Sequence, residues 1–429
     1  MTCLESPRAT CALGGALSLI HSIHRAVPII HAGPGCGTVL NGGQITSGGY
    51  QYIGYSSGFQ SPSSNMLEKH VVFGGEDRLR EEIGNTLKVI DADLYFVVTG
   101  CTSGLIGDDV KAVVGEFADQ GKHVIFAETA GFKGDTYKGY DIAYTALIDQ
   151  VTKPAKKKTP KLVNLFGIIA GQDPFWQGNV EEIVRLLEKI GVNVNLSGYD
   201  DTVKQIEDAA KAELNIVLSG STGVAVAEHF KKKFGVPFLK YPLPVGTDTG
   251  DFLRAVAKKL AIDKEKVEKV ITAEEKRFWE YLIKYSELYA FVLIGKEFNL
   301  IGDTTNAIGA AKFLTKDLGL IPGAIVLVDN PREDLKSGIS ETIEKHSAGL
   351  SPKVVFDNDT GHIWNLLADH KADIIFGSSS DRIQAAKIGS RLIPYSYPLY
   401  DQIVLSRGYA GYRGAINLAE ELGKRLLAG

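Results

Sequence analysis

At 429 residues the chain is long enough for about three domains, each with its own core. Apolar residues at 44% and charged residues at 23% exclude both a disordered polymer and a membrane-embedded bundle. Lys+Arg 47 against Asp+Glu 51 gives a net charge of −4, without the basic excess that holds a nucleic acid, so neither nucleic acid nor membrane is an expected partner.

The amino terminus, MTCLESPRAT, carries no basic leader, and the apolar stretch after it is broken by His21, His24, Arg25 and His31. Neither a signal peptide nor a membrane span is expected, and the expected location is the cytoplasm. In chain order, residues 27–31, 94–99 and 124–127 read as buried strands, with helical periodicity over 78–90 and 108–120. The stretch TKPAKKKTP (152–160) reads as a solvated linker. Strands follow at 162–169, 192–196, 216–218 and 238–241, around a helix at 180–190. A third block begins near Phe291 with FVLIG and continues with strands at 325–328, 354–356, 374–376 and 392–395. Alternation of this kind predicts an α/β fold of three doubly wound, Rossmann-like lobes with mostly parallel sheets, bounded at 1–152, 153–285 and 286–429, the last ending in a helix. The 47 glycines, about 11% against a usual ~7%, suit the many strand-to-helix turns this requires.

No GxxxxGK[ST] occurs, and SGSTG (219–223) lacks the lysine that reaches phosphates, so it reads as a tight turn. GPGCG (33–37) is not a dinucleotide fingerprint, because its glycines alternate and a cysteine sits between the last two. The only four cysteines are Cys3, Cys11, Cys36 and Cys101, all in the first quarter of the chain. Cys36 and Cys101 follow strands within glycine clusters, and Gly33, Gly35, Gly37, Gly100 and Gly104 leave room for a bulky inorganic group to approach sulfur. The spacings are too long for the CxxC pairs of a zinc ribbon. Three thiolates fall short of a cubane's four, which leaves Cys3, a non-cysteine group or another subunit to complete the set; read alone, the cysteines also fit small buried hydrophobes. His21, His24 and His31 read as packed or hydrogen-bonded imidazoles, Trp176, Trp279 and Trp364 as core or interface anchors, and Asp108 and Asp109 as helix caps.

The contexts TCALGGA, HAGPGCG and VTGCTSGLIGDDV, together with VVFGGEDRLREEI and ETAGFKGDTYKGY, resemble the nitrogenase component 1 family over nearly the whole chain. The resemblance implies that Cys11, Cys36 and Cys101, flanked by Gly35 and Gly100, hold half of a P-cluster-type iron-sulfur cluster shared with a partner subunit. It places Phe73 beside the cluster, near where a reductase docks. With no cysteine after Cys101, the chain lacks the anchors by which an α-type subunit holds the catalytic metal cofactor, so that cofactor is expected in the partner. YPLPVGTDTGDFL and the tail YPLYDQIVLSRGYAGYRGAINLAEEL are similar to the β-type subunit.

Two departures accompany the resemblance. The chain opens a few residues before Cys11, without the extension of the usual nitrogenase β subunit, and GFKG places Gly131 where that subunit carries a serine able to ligate the oxidised cluster. Cys3 has no counterpart. The expected function is that of the β-type subunit of a nitrogenase-like reductase, an oxidoreductase paired with an α-type chain in a heterotetramer and fed electrons by an ATP-hydrolysing iron protein. A true nitrogenase and a methylthio-alkane reductase remain alternatives for the reaction, and a scaffold for cofactor assembly or a cluster-free three-lobed binding protein for the role.

Overall fold

The computed structural model describes residues 6–51, 61–347 and 349–427, so Cys3 lies outside the described residues. Strands β1 (Ala26–His31), β2 (Leu94–Thr99) and β3 (Val124–Ala127) form a parallel sheet in chain order. Every residue of β1 and β2 is buried, as expected for a parallel sheet covered on both faces. Side chains alternate between the faces: Phe96 and Val98 join a core built on helices α1 (Ala12–His21) and, further along the chain, Thr136–Gln150. Tyr95 and Val97 pack on the opposite face. Between these strands run α2 (Pro34–Ser47), α3 (Glu68–Phe73), α4 (Glu76–Val89), α5 (Cys101–Ile106) and α6 (Val110–Ala118), and α7 is the helix Thr136–Gln150 already met.

A second parallel sheet comprises β4 (Leu162–Phe166), β5 (Asn193–Leu196), β6 (Leu214–Val217) and β7 (Phe238–Lys240), ordered β5-β4-β6-β7. A third comprises β8 (Glu297–Gly302), β9 (Ile321–Leu327), β10 (Lys353–Phe356), β11 (Ile374–Gly377) and β12 (Arg391–Pro394), ordered β10-β9-β8-β11-β12. Both begin on an inner strand and reverse direction, which opens a switch point beside β4 and another beside β8. Their helices include α8 (Trp176–Lys189), α9 (Val224–Phe234), α10 (Asp248–Lys259), α11 (Lys264–Leu282), α12 (Ala307–Lys312), α13 (Glu333–Lys345), α14 (Thr360–Asp369), α15 (Arg382–Ile388) and α16 (Gly411–Leu427). One apolar core runs from Val163 and Leu186 through Phe298 and Phe376 to Leu418, so the second and third sheets share their packing. Among the described residues, no helix is long and apolar enough to cross a membrane.

The expected strand FVLIG (291–295) is not a strand. The chain continues helically beyond α11 and ends in a π-helical turn, Tyr289–Leu293, with Phe291 and Ile294 exposed and Leu293 alone of that turn buried. The first strand of the third sheet is EFNLIG, whose last five residues are all buried and which pairs on both sides. An apolar run too short to distinguish strand from helix misled the periodicity, and the neighbouring run with partners on two edges became the strand.

Where ligands would be expected at the two switch points, the protein bonds to itself. Thr304 Oγ1 donates to Asp329 Oδ2 at 2.5 Å, Ser219 and Thr304 hydroxyls lie 3.1 Å apart, and Thr305 Oγ1 donates to the Gly167 carbonyl at 2.9 Å. Burial, then the charges of Asp329 and Asp173, push the Asp303 carboxyl up to about 8. A carboxyl raised in this way holds a proton in the folded state that the unfolded chain has released. Stability therefore falls as pH rises from about 4 to about 8, by up to about 1.4 kcal/mol per pH unit for the group. Asp303→Asn, which keeps an oxygen for the Thr305 and Asn306 amides, is expected to flatten that decline; urea unfolding at about pH 5 and about pH 8 checks it, and equal slopes in both proteins contradict it.

Candidate metal centre

Three cysteines stand at helix starts. Cys11 precedes α1, its carbonyl accepting from the Gly14 amide at 2.9 Å; Cys36 lies in the first turn of α2; Cys101 opens α5 directly after β2. The parallel sheet brings the ends of β1 and β2 side by side, which delivers the second and third cysteines to one edge. The first arrives through the 131–136 segment: the Ala12 amide donates to the Gly134 carbonyl at 2.9 Å and the Thr136 amide to the Thr10 carbonyl at 2.8 Å.

Two glycines gauge how closely the thiols converge. A methyl group on Gly131 would stand 3.0 Å from Cys101 Sγ and 3.5 Å from Cys11 Sγ. One on Gly100 would lie 3.8 Å from Cys36 Sγ and collide with Ala32 Cβ at 2.5 Å, so glycine at 100 is required for β1 and β2 to finish this close together. Gly35 is exposed and a methyl group there meets nothing within 4 Å, so no contact within this chain demands its glycine. All three cysteines are free thiols, Cys101 exposed and the others half-buried. Burial, then the neighbouring Cys11 and Cys101, pushes the Cys36 thiol up. Three thiolates in this arrangement repel one another unless positive charge lies among them.

Among the described residues, no three His, Cys, Asp or Glu side chains close around a single ion. The donor set is all sulfur, opens outward and spans a rim of glycines, which suits a polynuclear iron-sulfur group, whose own body separates its ligands, better than one metal ion. Around it Val39, Leu105 and Phe132 are exposed by 70%, 75% and 58%, apolar surface unusual beside polar thiols in an isolated chain. Phe73 ends α3, is 87% exposed, and sits beside exposed Val72, on a helix that packs against α5.

Beneath the thiols lies a network that the sequence did not disclose. His31, fully buried, places Nδ1 2.9 Å from Ser64 Oγ and Nε2 2.9 Å from Asp108 Oδ2. Burial lowers the His31 pKa while Asp108 opposes it. The His31 carbonyl accepts from the Gly100 amide at 2.9 Å and from Ser103 Oγ at 2.7 Å, bracing the start of α5. The other Asp108 oxygen accepts from the Gly75 amide at 2.9 Å, and a methyl group on Gly75 would meet Asp108 at 2.6 Å. VFGG and IGDD are therefore halves of one contact. The capping expectation holds for Asp109, which accepts from the Ala112 amide, and is corrected for Asp108, whose oxygens are taken by His31 and Gly75. His21 is buried with Nε2 3.3 Å from Ser61 Oγ, and His24 pairs with Asp200 at 3.2 Å, so these histidines are engaged by protein groups.

Cys11 is also tied to the third sheet. Three residues upstream, Arg8 is buried against Asp381, with Nη1 2.7 Å from Oδ2, and its amide donates to the Asn358 carbonyl at 3.0 Å. No local signal in SPRAT marks Arg8, because its partner is 373 residues away.

The family profile described as Nitrogenase component 1 type Oxidoreductase matches residues 11–427. Similar curated proteins include the nitrogenase molybdenum-iron protein beta chain of Methanococcus maripaludis, 26% identical over 99% of this chain and 95% of that one. They also include the nitrogenase iron-molybdenum cofactor biosynthesis protein NifE of a strain of the same organism, 28% identical over 96% of this chain and 82% of the relative. In fold, the solved structure of nitrogenase Cp1 at pH 6.5 superposes with a TM-score of 0.85 at 21% identity, covering 100% of this chain and 94% of that one. With the profile spanning nearly every residue, the chain belongs to the nitrogenase component 1 type oxidoreductase family.

Proposed function

We propose that the chain is the β-type subunit of a nitrogenase-like two-component reductase, holding an interfacial iron-sulfur centre of the P-cluster type. The observation that carries this is the convergence of three free thiols on Gly131 and Gly100 at an outward-facing, apolar-rimmed edge. Cys11, Cys36 and Cys101 would hold the group, with residues 1–152 as the cluster-binding lobe, and an α-type partner would supply the missing ligands and cover Val39, Leu105 and Phe132. When bound, the group supplies reversible electron storage. This chain's residues set its surroundings: the three cysteines stand at helix starts, and the His31–Asp108 network, through the His31 carbonyl, braces the start of the helix that carries Cys101. Exposed Phe73 and Val72 offer an apolar foothold for an ATP-hydrolysing iron protein, and the catalytic metal cofactor would sit in the partner, completing a heterotetramer.

A scaffold for cofactor assembly is the second reading, favoured by similarity to a cofactor biosynthesis protein. The two are separated by turnover. The assembled complex with its reductase, ATP and a chemical reductant is expected to consume reductant continuously and only while ATP is hydrolysed. Electron uptake that stops after a stoichiometric amount would favour the scaffold.

A further inference from the structure

A cavity of about 240 Å3 lies between the second and third sheets, away from the cysteines. Its near wall is Gly220, in the turn after β6, and Lys240 and Tyr241 at the carboxyl end of β7; its far wall comes from α12 and α13. It lies outside the carboxyl ends of β6 and β7, beside the self-bonded switch point rather than at it, as a concave space closed on its other side by helices of the third sheet.

The polar groups in it are built in. Lys312 and Asp248 are 8% and 5% exposed and form an ion pair, and Tyr241 donates to the same Asp248 oxygen at 2.7 Å. An ammonium has three donors, and Asp248 is the one hydrogen-bond partner of Lys312 among the described residues, so its other two N–H groups have no protein acceptor and are left to the cavity that Lys312 lines. An oxyanion entering the cavity would accept from them in charge-assisted hydrogen bonds, the stronger kind. Lys240 adds a second positive charge against the single Asp248, and His346 completes that side, its pKa lowered by burial and then by Lys312. The wall has an opening as well: a methyl group on Gly338, in α13, meets nothing within 4 Å. SGSTG lacks a lysine of its own, yet the fold brings Lys240 and Lys312 to the same cavity as its Gly220.

We infer that this cavity binds a small oxyanion, a carboxylate or a phosphate, whose oxygens meet Lys312 and Lys240. The inference does not depend on the iron-sulfur reading. It is tested on the full chain by calorimetric titration with inorganic phosphate and, separately, with succinate, at matched ionic strength in chloride. Lys240→Glu reverses an exposed charge, and Gly338→Leu places a bulky side chain on the cavity wall at an exposed helical position where a methyl group meets nothing within 4 Å. Saturable binding of either anion, weakened at least tenfold in both variants while their circular dichroism is unchanged, is the expected result, and the anion preferred identifies the ligand class. Absence of saturable binding by both anions, or affinity unchanged in Lys240→Glu, overturns it.

Discussion

Arg8→Met is expected to lower the unfolding free energy by about 3–5 kcal/mol, because it strands a carboxylate with no water to solvate it. Asp381 is fully buried and accepts from both Arg8 terminal nitrogens, from the Ser378 amide at 2.8 Å and from the Trp364 indole at 3.0 Å. Burial alone would raise the Asp381 pKa; the charge and hydrogen bonds of Arg8, together with the Ser378 hydrogen bonds, more than offset it and hold the carboxyl below its ordinary range. The sign follows: a depressed carboxyl stabilises the fold above the unfolded pKa, about 4, and that contribution is lost only as pH falls through the lower folded value. The difference between wild type and Arg8→Met should therefore be full at neutral pH and shrink in acid. Arg8→Met/Asp381→Leu, which removes both charges, is expected to regain part of the loss, since burying the pair is itself expensive. Chemical unfolding of the three proteins checks this, and a single variant within about 1 kcal/mol of wild type contradicts it. Because Arg8 anchors the segment that leads into Cys11, the same variant should load less iron.

Gly139→Ala is the second large effect, at about 3 kcal/mol or more. Helices α1 and α7 cross so closely that a methyl group on Gly139 would stand 1.9 Å from the Ala12 carbonyl oxygen, and one on Gly15 would stand 1.8 Å from that of Thr136. Both obstacles are backbone, so relief requires the helices to separate, which opens the core around Leu13, Leu17 and Tyr140. Ala12 follows Cys11, so the shift reaches the first thiol. Gly84→Ala is the control: it lies within α4, a methyl group there meets nothing within 4 Å, and it should stabilise by about 0.5–1 kcal/mol through helix propensity. Thermal and urea unfolding of the pair should move in opposite directions; similar midpoints would show that the crossing is looser than described.

What the sequence disclosed follows from which interactions are local. Residues 94–99 were legible as a strand because buried β-branched runs in parallel sheets look the same wherever they occur, and β2 has those limits. FVLIG was not legible as helix, because its composition suits either state and the choice was made by EFNLIG claiming the paired position. Cys11, Cys36 and Cys101 stood out through their glycines and through family resemblance. Gly100 proved sterically required, whereas Gly35 has no such requirement within the chain. Gly131 was noticed only as a missing serine, and its place between two sulfurs required the fold. Arg8–Asp381, His31–Asp108 and the Lys312–Asp248 pair were invisible because each joins side chains from distant segments, and nothing in the neighbourhood of either partner encodes the other.

Three thiols of this chain are proposed to hold an iron-sulfur group at a partner interface. The most direct measurement is iron and acid-labile sulfide content with electron paramagnetic resonance, on the chain purified anaerobically with its partner and on the same complex carrying Cys36→Ala. Several irons per pair of subunits, a matching amount of sulfide, a paramagnetic signal on redox titration, and loss of more than half of the iron in the variant are predicted. An iron-free complex prepared without oxygen, or iron and signal unchanged by Cys36→Ala, would contradict the account.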